Sequence, residues 1–205
     1  AGVGEAAYHE DHETLHGVRA NGTNGLELDH VAISDVFGDF VYVGRDDDKN
    51  WSADVWIHDS TFIRNGRQGL AFTAVRGAVV ERNDISQTRR STFDLEPNTE
   101  SWGVEDLQIL DNRIGPGRLL FIASHGGGPV TNVVIARNVL VGHPLTMDLK
   151  PPDGARRTGV WVIGNRSDTE ASPGPVKIIR YDGVVVRDNV VPTRRQRQLA
   201  AAIPG

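Results

Sequence analysis

The stretch AVVERNDI at positions 78–85 decides the fold, because similar octets recur along the chain. The other copies are LELDHVAI (26–33), VWIHDSTF (55–62), LQILDNRI (107–114), VVIARNVL (133–140), VWVIGNRS (160–167) and VVVRDNVV (184–191). Their apolar third position returns after about 26 residues on average, and the alternation within each copy is typical of strands. Short strands at a fixed period predict a solenoid of parallel β-coils.

A second alternating apolar pair follows most copies and predicts a second strand in each coil. These pairs are Val41/Val43, Leu70/Phe72, Phe93/Leu95, Leu120/Ile122, Met147/Leu149 and Val176/Ile178. The chain lacks a convincing helical stripe outside its two ends. We therefore expect an all-β, parallel solenoid of about seven coils.

A polar column accompanies the repeat, one position in each copy. It runs Asn83, Asn112, Asn138, Asn165 and Asn189, with Ser60 and Val31 in the same slot. Asn tolerates the left-handed backbone of a sharp turn, and its amide can bond to the coils above and below. We interpret the column as architecture rather than as a functional site.

The repeat length and the Asn column over residues 18–191 resemble the right-handed parallel β-helix of the pectate-lyase-like superfamily. The FDLEPN stretch (93–98) also resembles segments of uncharacterised secreted β-helix proteins. The resemblance implies a right-handed β-helix, a secreted or cell-surface location and action on polysaccharides. It implies the fold more specifically than the activity, and it assigns no catalytic residue.

Composition limits the remaining function classes. The 205 residues suit a single domain, 1–205, and the net charge of −5 argues against a general nucleic-acid binder. No apolar run has the length of a membrane span, so we expect no membrane partner. The absence of Cys excludes disulfides and thiol catalysis. We expect residues 1–16 to act as an N-terminal cap, residues 192–205 to form a tail, and the chain to be a fragment of a longer protein.

Alternation also predicts which side chains of the second strand face outward. The first outward column is Arg19, Tyr42, Ala71, Asp94, Phe121, Asp148 and Lys177, and the next is Gly44, Thr73, Glu96, Ala123, Lys150 and Ile179. Asp94 and Glu96 should then lie ~6.6 Å apart on one face, at about 3.3 Å per residue. The loops beside this strand add candidate groups for binding a polysaccharide: Tyr42, Arg45, Arg67, Asn98, Trp102 and Arg156, together with His125 and the run Asp46–Asp48.

Two catalytic schemes suit these residue types. In a lyase, the scheme we place first, Ca²⁺ held by Asp94 and Glu96 would neutralise a uronate, and Lys150 would abstract the α-proton. In a hydrolase, Asp94, Glu96 or Asp148 would supply an acid and a base, with His125 as a further candidate. An epimerase is a third enzymatic possibility, which we place beside the hydrolase. The structural alternatives are that Asp94 and Glu96 are solvated strand residues or that Asp94 pairs with Arg67. Asp148 and Lys150 would likewise be a surface pair, the Asp run a solvated loop, and His125 the mark of a flexible turn.

The first strand of each coil presents an unusually apolar outer column. It comprises Glu27, Trp56, Val79, Gln108, Val134, Trp161 and Val185. A missing flanking segment, packed loops, an aromatic sugar platform or a homo-oligomer interface through Trp56, Val79, Val134, Trp161 and Val185 would each explain it. The alternatives to an enzyme are therefore a non-catalytic glycan-binding module and a structural β-helix segment of an assembly.

Overall fold

The computed structural model describes residues 8, 10–118, 120–153, 155, 157–170 and 176–192. These residues form a right-handed parallel β-solenoid, preceded by one short 3₁₀ turn at Glu10–His12. Six successive coils each contribute one strand to each of three parallel sheets, and a further partial coil adds a seventh strand to two of them. The all-β fold predicted from the repeat is confirmed, with about six turns rather than seven.

The strands of each sheet follow one another in coil order. Sheet 1 contains β1 (Val18–Asn21), β4 (Val41–Gly44), β7 (Leu70–Phe72), β10 (Phe93–Leu95), β13 (Ile122–Ser124), β16 (Met147–Leu149) and β19 (Val176–Ile178). Sheet 2 contains β2 (Glu27–Asp29), β5 (Ser52–His58), β8 (Val75–Glu81), β11 (Val104–Leu110), β14 (Val130–Ala136), β17 (Arg157–Ile163) and β20 (Tyr181–Arg187). Sheet 3 contains β3 (Ala32–Val36), β6 (Thr61–Asn65), β9 (Asp84–Ser86), β12 (Arg113–Ile114), β15 (Val139–Leu140) and β18 (Arg166–Ser167).

The core is a stack of apolar side chains between the three sheets. Residues such as Ile57, Leu70, Phe93 and Ile109 are fully buried, as their alternation predicts. The pairing also reproduces the outer column of sheet 2 from Glu27 through Trp56 and onward to Val185. A repeated octet fixes this register because each copy occupies the same place in its coil.

The predicted register of sheet 1 is wrong at residues 120–124. Phe93 pairs with Ile122 and Asp94 with Ala123, so Phe121 is buried, packing edge-on against Phe93 with ring centroids 5.7 Å apart. Ser124 therefore takes an inward position opposite Leu95. A buried hydroxyl is tolerated there because it donates to the Leu95 carbonyl at 2.9 Å, and this polar inner residue hid the true alternation.

The predicted ladder of polar side chains is confirmed, but the Asn residues in it do not adopt the left-handed backbone conformation that the sequence suggests. The Asn112 amide oxygen accepts from the backbone N–H and the side-chain amide of Asn83, both at 3.0 Å, and its own amide donates to the Val80 carbonyl at 2.9 Å. The left-handed conformation belongs to the residue before each ladder position: His30, Asp59, Arg82, Asp111, Arg137, Gly164 and Asp188. Each buried amide instead satisfies backbone groups that the turn would leave unpaired.

Residues 10–16 lie against the edge of the first coil. The Gly38 N–H donates to the Leu15 carbonyl at 2.9 Å, and the His12 ring packs on Phe37. Most of the expected tail, residues 193–205, and residues 1–7 and 9 of the expected cap lie outside the described residues. Within the described part of the chain, no helix has the length and apolar character needed to cross a membrane.

Candidate functional site

The outward face of sheet 1 brings the predicted acidic residues into one column. Its corrected order is Arg19, Tyr42, Ala71, Asp94, Ala123, Asp148 and Lys177. Asp148 therefore lies two strands from Asp94, ~9.6 Å away at about 4.8 Å per strand, with only Ala123 between them. Just beyond the strands, Glu96, His125 and Lys150 occupy corresponding positions, so His125 stands where Ala123 was expected.

Asp94 is buried although it points away from the core. Its side chain is 1% exposed, and neither carboxyl oxygen has a hydrogen-bond partner among the described residues. Burial, reinforced by the negative charge of Glu96, raises the pKa of Asp94 to about 8. The alternative that Asp94 is a solvated strand residue is therefore wrong, and burial favours the protonated form of this carboxyl near neutral pH.

Arg67 organises the carboxyl groups around Asp94. Its Nη1 donates to Asp39 at 2.8 Å, its Nη2 lies 3.9 Å from Glu96, and its Nε lies 3.4 Å from Glu13. The described contacts of Arg67 include no ion pair with Asp94, so the pairing proposed from the sequence is replaced by one with Asp39. Asp39 is fully buried, and burial raises its pKa to about 7 although Arg67 opposes the shift.

An aromatic wall closes one side of this cluster. The His16 ring stacks on Tyr42 with centroids 4.9 Å apart, and its Nδ1 accepts the backbone N–H of Asp39 at 3.1 Å. Burial lowers the pKa of His16 to about 4, so its imidazole is neutral and its Nε2 carries the proton. Thr73 donates to the Tyr42 hydroxyl at 3.0 Å, which fixes the tyrosine that the sequence assigned to substrate binding.

These side chains border a cleft of about 280 Å³. Its lining includes Glu13, His16, Tyr42, Arg67, Glu96 and Asn98. Asp94 lies directly beside it, next to the lining residue Ala71 on the adjacent strand and two residues from Glu96. The predicted binding residues Tyr42, Arg67 and Asn98 are thus brought to the predicted acid Glu96.

Lys150 and His125 border a different cavity. This second cavity, of about 360 Å³, is lined by those two residues together with Gly126, Pro151, Pro152, Asp153 and Arg180. Arg180 forms an ion pair with Asp153 at 2.8 Å. The structure therefore does not bring Lys150 into the cleft beside Asp94, where the lyase scheme requires it.

Several predicted loop residues contact each other rather than the cleft. Arg45 stacks over the Trp102 ring at 4.7 Å, so these two predicted binding residues do not line the cleft. Asp46 accepts from the backbone and side chain of Asn50 at 2.8 and 2.9 Å, which closes the loop between β4 and β5. Arg156 lies outside the described residues.

Arg157, the residue that follows Arg156, is buried. The guanidinium donates to the Ser124 hydroxyl at 2.5 Å and to the carbonyls of His125, Gly126 and Gly128 at 2.8, 2.7 and 3.2 Å. These bonds hold the glycine-rich loop after β13 in place. A buried guanidinium is stable only with such a full set of acceptors.

Sequence reasoning missed His16, Asp39 and Glu13. His16 fell in the expected cap, and Asp39 precedes β4 in a turn between strands that carried no motif. The available signal was the spacing of 28 residues from Asp39 to Arg67, which is one coil and so places the two side chains in adjacent turns.

Comparison with known proteins identifies the family. The family model described as "Right handed beta helix region" matches residues 12–173. A search of curated proteins finds no match. Because the family match covers most of the chain and the three parallel sheets have the architecture it describes, the chain belongs to the right-handed β-helix family.

Proposed function

We propose that the protein cleaves glycosidic bonds in a polysaccharide by hydrolysis, with Asp94 and Glu96 as its proton-handling pair. One observation carries the proposal: Asp94 is buried, lacks any described hydrogen-bond partner and has its pKa raised to about 8 beside a cleft. A buried carboxyl without partners is costly for a fold, and such costs are typical of functional sites. A buried carboxyl whose protonated form is favoured can serve as the source of the proton in acid catalysis.

The geometry suggests a division of roles. Glu96 lines the cleft with a side chain that is 32% exposed, so it meets the sugar, whereas Asp94 holds the proton behind it. In the proposed step Glu96 gives a proton to the glycosidic oxygen as the bond from that oxygen to the anomeric carbon breaks, and Asp94 replaces that proton on Glu96. Water adds to the anomeric carbon and gives its proton to Asp148, which is half-buried two strands along the same column, so the bound sugar has to extend beyond the cleft along sheet 1. The two strands lie about 9.6 Å apart, just above the carboxyl separation of about 6.5–9.5 Å that is typical of inverting hydrolases.

The cleft suits a charged or richly hydroxylated sugar. Arg67 and Arg19 offer donors to carboxylate or hydroxyl groups, and Tyr42 and the neutral His16 offer an aromatic surface with polar edges. We propose an acidic polysaccharide as the substrate, and a secreted or cell-surface location because such polymers lie outside the cell.

The same surroundings are poorly suited to the calcium site expected at Asp94 and Glu96. A guanidinium nitrogen lies 3.9 Å from Glu96, and a protonated carboxyl is a weak ligand for a hard cation. The proposed reaction therefore uses no metal, and we favour hydrolysis over the lyase scheme.

Incubation with a panel of acidic and neutral polysaccharides tests the proposal. We expect new reducing ends without absorbance near 232 nm, activity that survives a chelator, and loss of at least a hundredfold in Asp94→Asn and Glu96→Gln. Asp84→Asn is the matched control, since Asp84 is exposed on sheet 3 and pairs with Arg113 at 3.2 Å. Unsaturated products that require Ca²⁺ and Lys150 would establish the lyase instead.

A second function is supported by the outer column of sheet 2. Trp56 is 41% exposed, and Val79, Val134, Trp161 and Val185 follow it in register. We propose this face as the surface of a homo-oligomer or a larger assembly, which is compatible with either enzymatic or purely structural use of the cleft. If every polysaccharide bound without turnover, the protein would be a glycan-binding module.

A further inference from the structure

A second group of chemically active side chains lies where sheet 2 turns into sheet 3 in the first two coils, away from the face of sheet 1 that carries Asp94. His58 ends β5, and its Nδ1 lies 2.8 Å from an oxygen of Asp59 and 3.4 Å from an oxygen of Asp29. The three ligand atoms all lie within 4.8 Å of one another. His30 extends the group, because its Nδ1 contacts the same Asp29 oxygen.

The two separations from His58 Nδ1, 2.8 and 3.4 Å, are close to those between ligands that share one cation. Ligands about 2.1 Å from a zinc ion, subtending right or tetrahedral angles, are about 3.0–3.4 Å from each other. The two Asp oxygens lie within 4.8 Å of each other and would move closer together as they and His58 Nδ1 converge on one ion. His30 is largely exposed and is free to supply a fourth ligand by rotating about its side-chain bonds.

The other nitrogen of His58 has the partner that metal-binding histidines usually have. Its Nε2 lies 3.3 Å from Glu27, which can accept the Nε2 proton once a metal has displaced the Nδ1 proton that bonds to Asp59. Trp56 stacks on the imidazole with ring centroids 3.8 Å apart, which holds the ring plane. Arg82 donates to both oxygens of Asp59, at 2.9 and 2.8 Å, and so orients the second carboxylate.

Local charge favours a cation at this position. Four carboxylates (Glu27, Asp29, Asp59 and Glu81) contact His58, Trp56 or Arg82, and Arg82 supplies one permanent positive charge among them. An imidazole combined with two carboxylates selects borderline first-row metals over Ca²⁺ or Mg²⁺, which prefer oxygen ligands alone.

We propose that His58, Asp29 and Asp59, with His30 as a fourth ligand, bind a divalent transition metal of the zinc class. The site links the first two coils, since Asp29 and His30 belong to one turn of the solenoid and His58 and Asp59 to the next. A metal here stabilises the N-terminal end of the solenoid and is independent of the hydrolytic function proposed for Asp94.

Calorimetric titration of the metal-stripped full chain with ZnCl₂ tests the site, and Co²⁺ absorption reports its coordination. We expect one equivalent to bind and to raise the melting temperature. His58→Gln and Asp29→Asn should each weaken binding at least tenfold, and the positioning variant Glu27→Gln should weaken it about 10–100-fold. Asp29 is 46% exposed, so its substitution leaves the fold intact, which circular dichroism verifies.

The matched control is His125→Gln, which removes an exposed histidine from another part of the solenoid and should bind zinc as the wild type does. Absence of saturable binding by the wild type would overturn the proposal. Unchanged affinity in both His58→Gln and Asp29→Asn would overturn it equally, since the zinc would then be held elsewhere.

Discussion

Replacing Asp94 by Asn removes a carboxyl that the fold keeps protonated, and this makes the pH dependence of stability a direct test of the site. The pKa of Asp94 is raised to about 8 by burial and by Glu96, whereas an Asp in the unfolded chain titrates near 3.9. The native state therefore binds this proton more tightly than the unfolded state does. Stability must fall as the pH rises between these two values and level off above the folded pKa.

The size of the effect follows from the separation of the two pKa values. Each pH unit between them changes the free energy of unfolding by about 1.4 kcal/mol, so the wild type loses about 4 kcal/mol from this group between about pH 5 and pH 8. Asn has nearly the same shape and no titration, so the variant escapes this loss. Asp39, with its own raised pKa, is present in both proteins, but its charge also raises the pKa of Asp94, so it cancels only in part from the difference.

Urea denaturation of both proteins at several pH values measures this difference. We expect Asp94→Asn to be more stable than the wild type at alkaline pH, and thermal melts should show a melting temperature about 8–16 °C higher for a chain of this length. Glu96→Gln removes the neighbouring negative charge, so its pH dependence should lie between the two. Parallel stability curves for the wild type and Asp94→Asn would refute the assignment of a buried, protonated carboxyl and with it the proposed proton donor.

Three further predictions concern the scaffold. Asn112→Ala should lower the free energy of unfolding by about 3–5 kcal/mol, because it removes buried ladder bonds and leaves backbone groups unpaired. Asn189→Ala, at the half-buried end of the ladder, should lower it by less than half as much in urea melts. Equal losses would contradict the ladder argument. Arg157→Met should accelerate limited proteolysis of the glycine-rich loop that the guanidinium holds, and an unchanged cleavage rate would show that the loop is fixed by other contacts. Trp56→Ser combined with Trp161→Ser should shift a self-associating wild type towards monomer in sedimentation velocity, and identical profiles would exclude this face as the interface.

The repeat made most of the fold predictable. The outer column of sheet 2 was obtained residue by residue, from Glu27 to Val185, because each octet carries the same alternation and the same ladder position. The prediction failed in sheet 1 at Phe121, where Ser124 occupies an inner position and breaks the apolar pattern. Polarity alone could not reveal that this hydroxyl is satisfied by Leu95 and Arg157.

The sequence predicts which strand face carries the site, but not the groups that surround it. Asp94, Glu96 and Tyr42 were placed on the correct face of sheet 1, whereas the burial of Asp94 and the contacts of Arg67 with Asp39 and Glu13 were not anticipated. The sequence alone determines a β-coil with a fixed period, because side-chain alternation and coil length are local properties of the chain. The protonation state of Asp94 and the convergence of His58 with Asp29 depend on side chains one coil away, so only the tertiary structure could decide them.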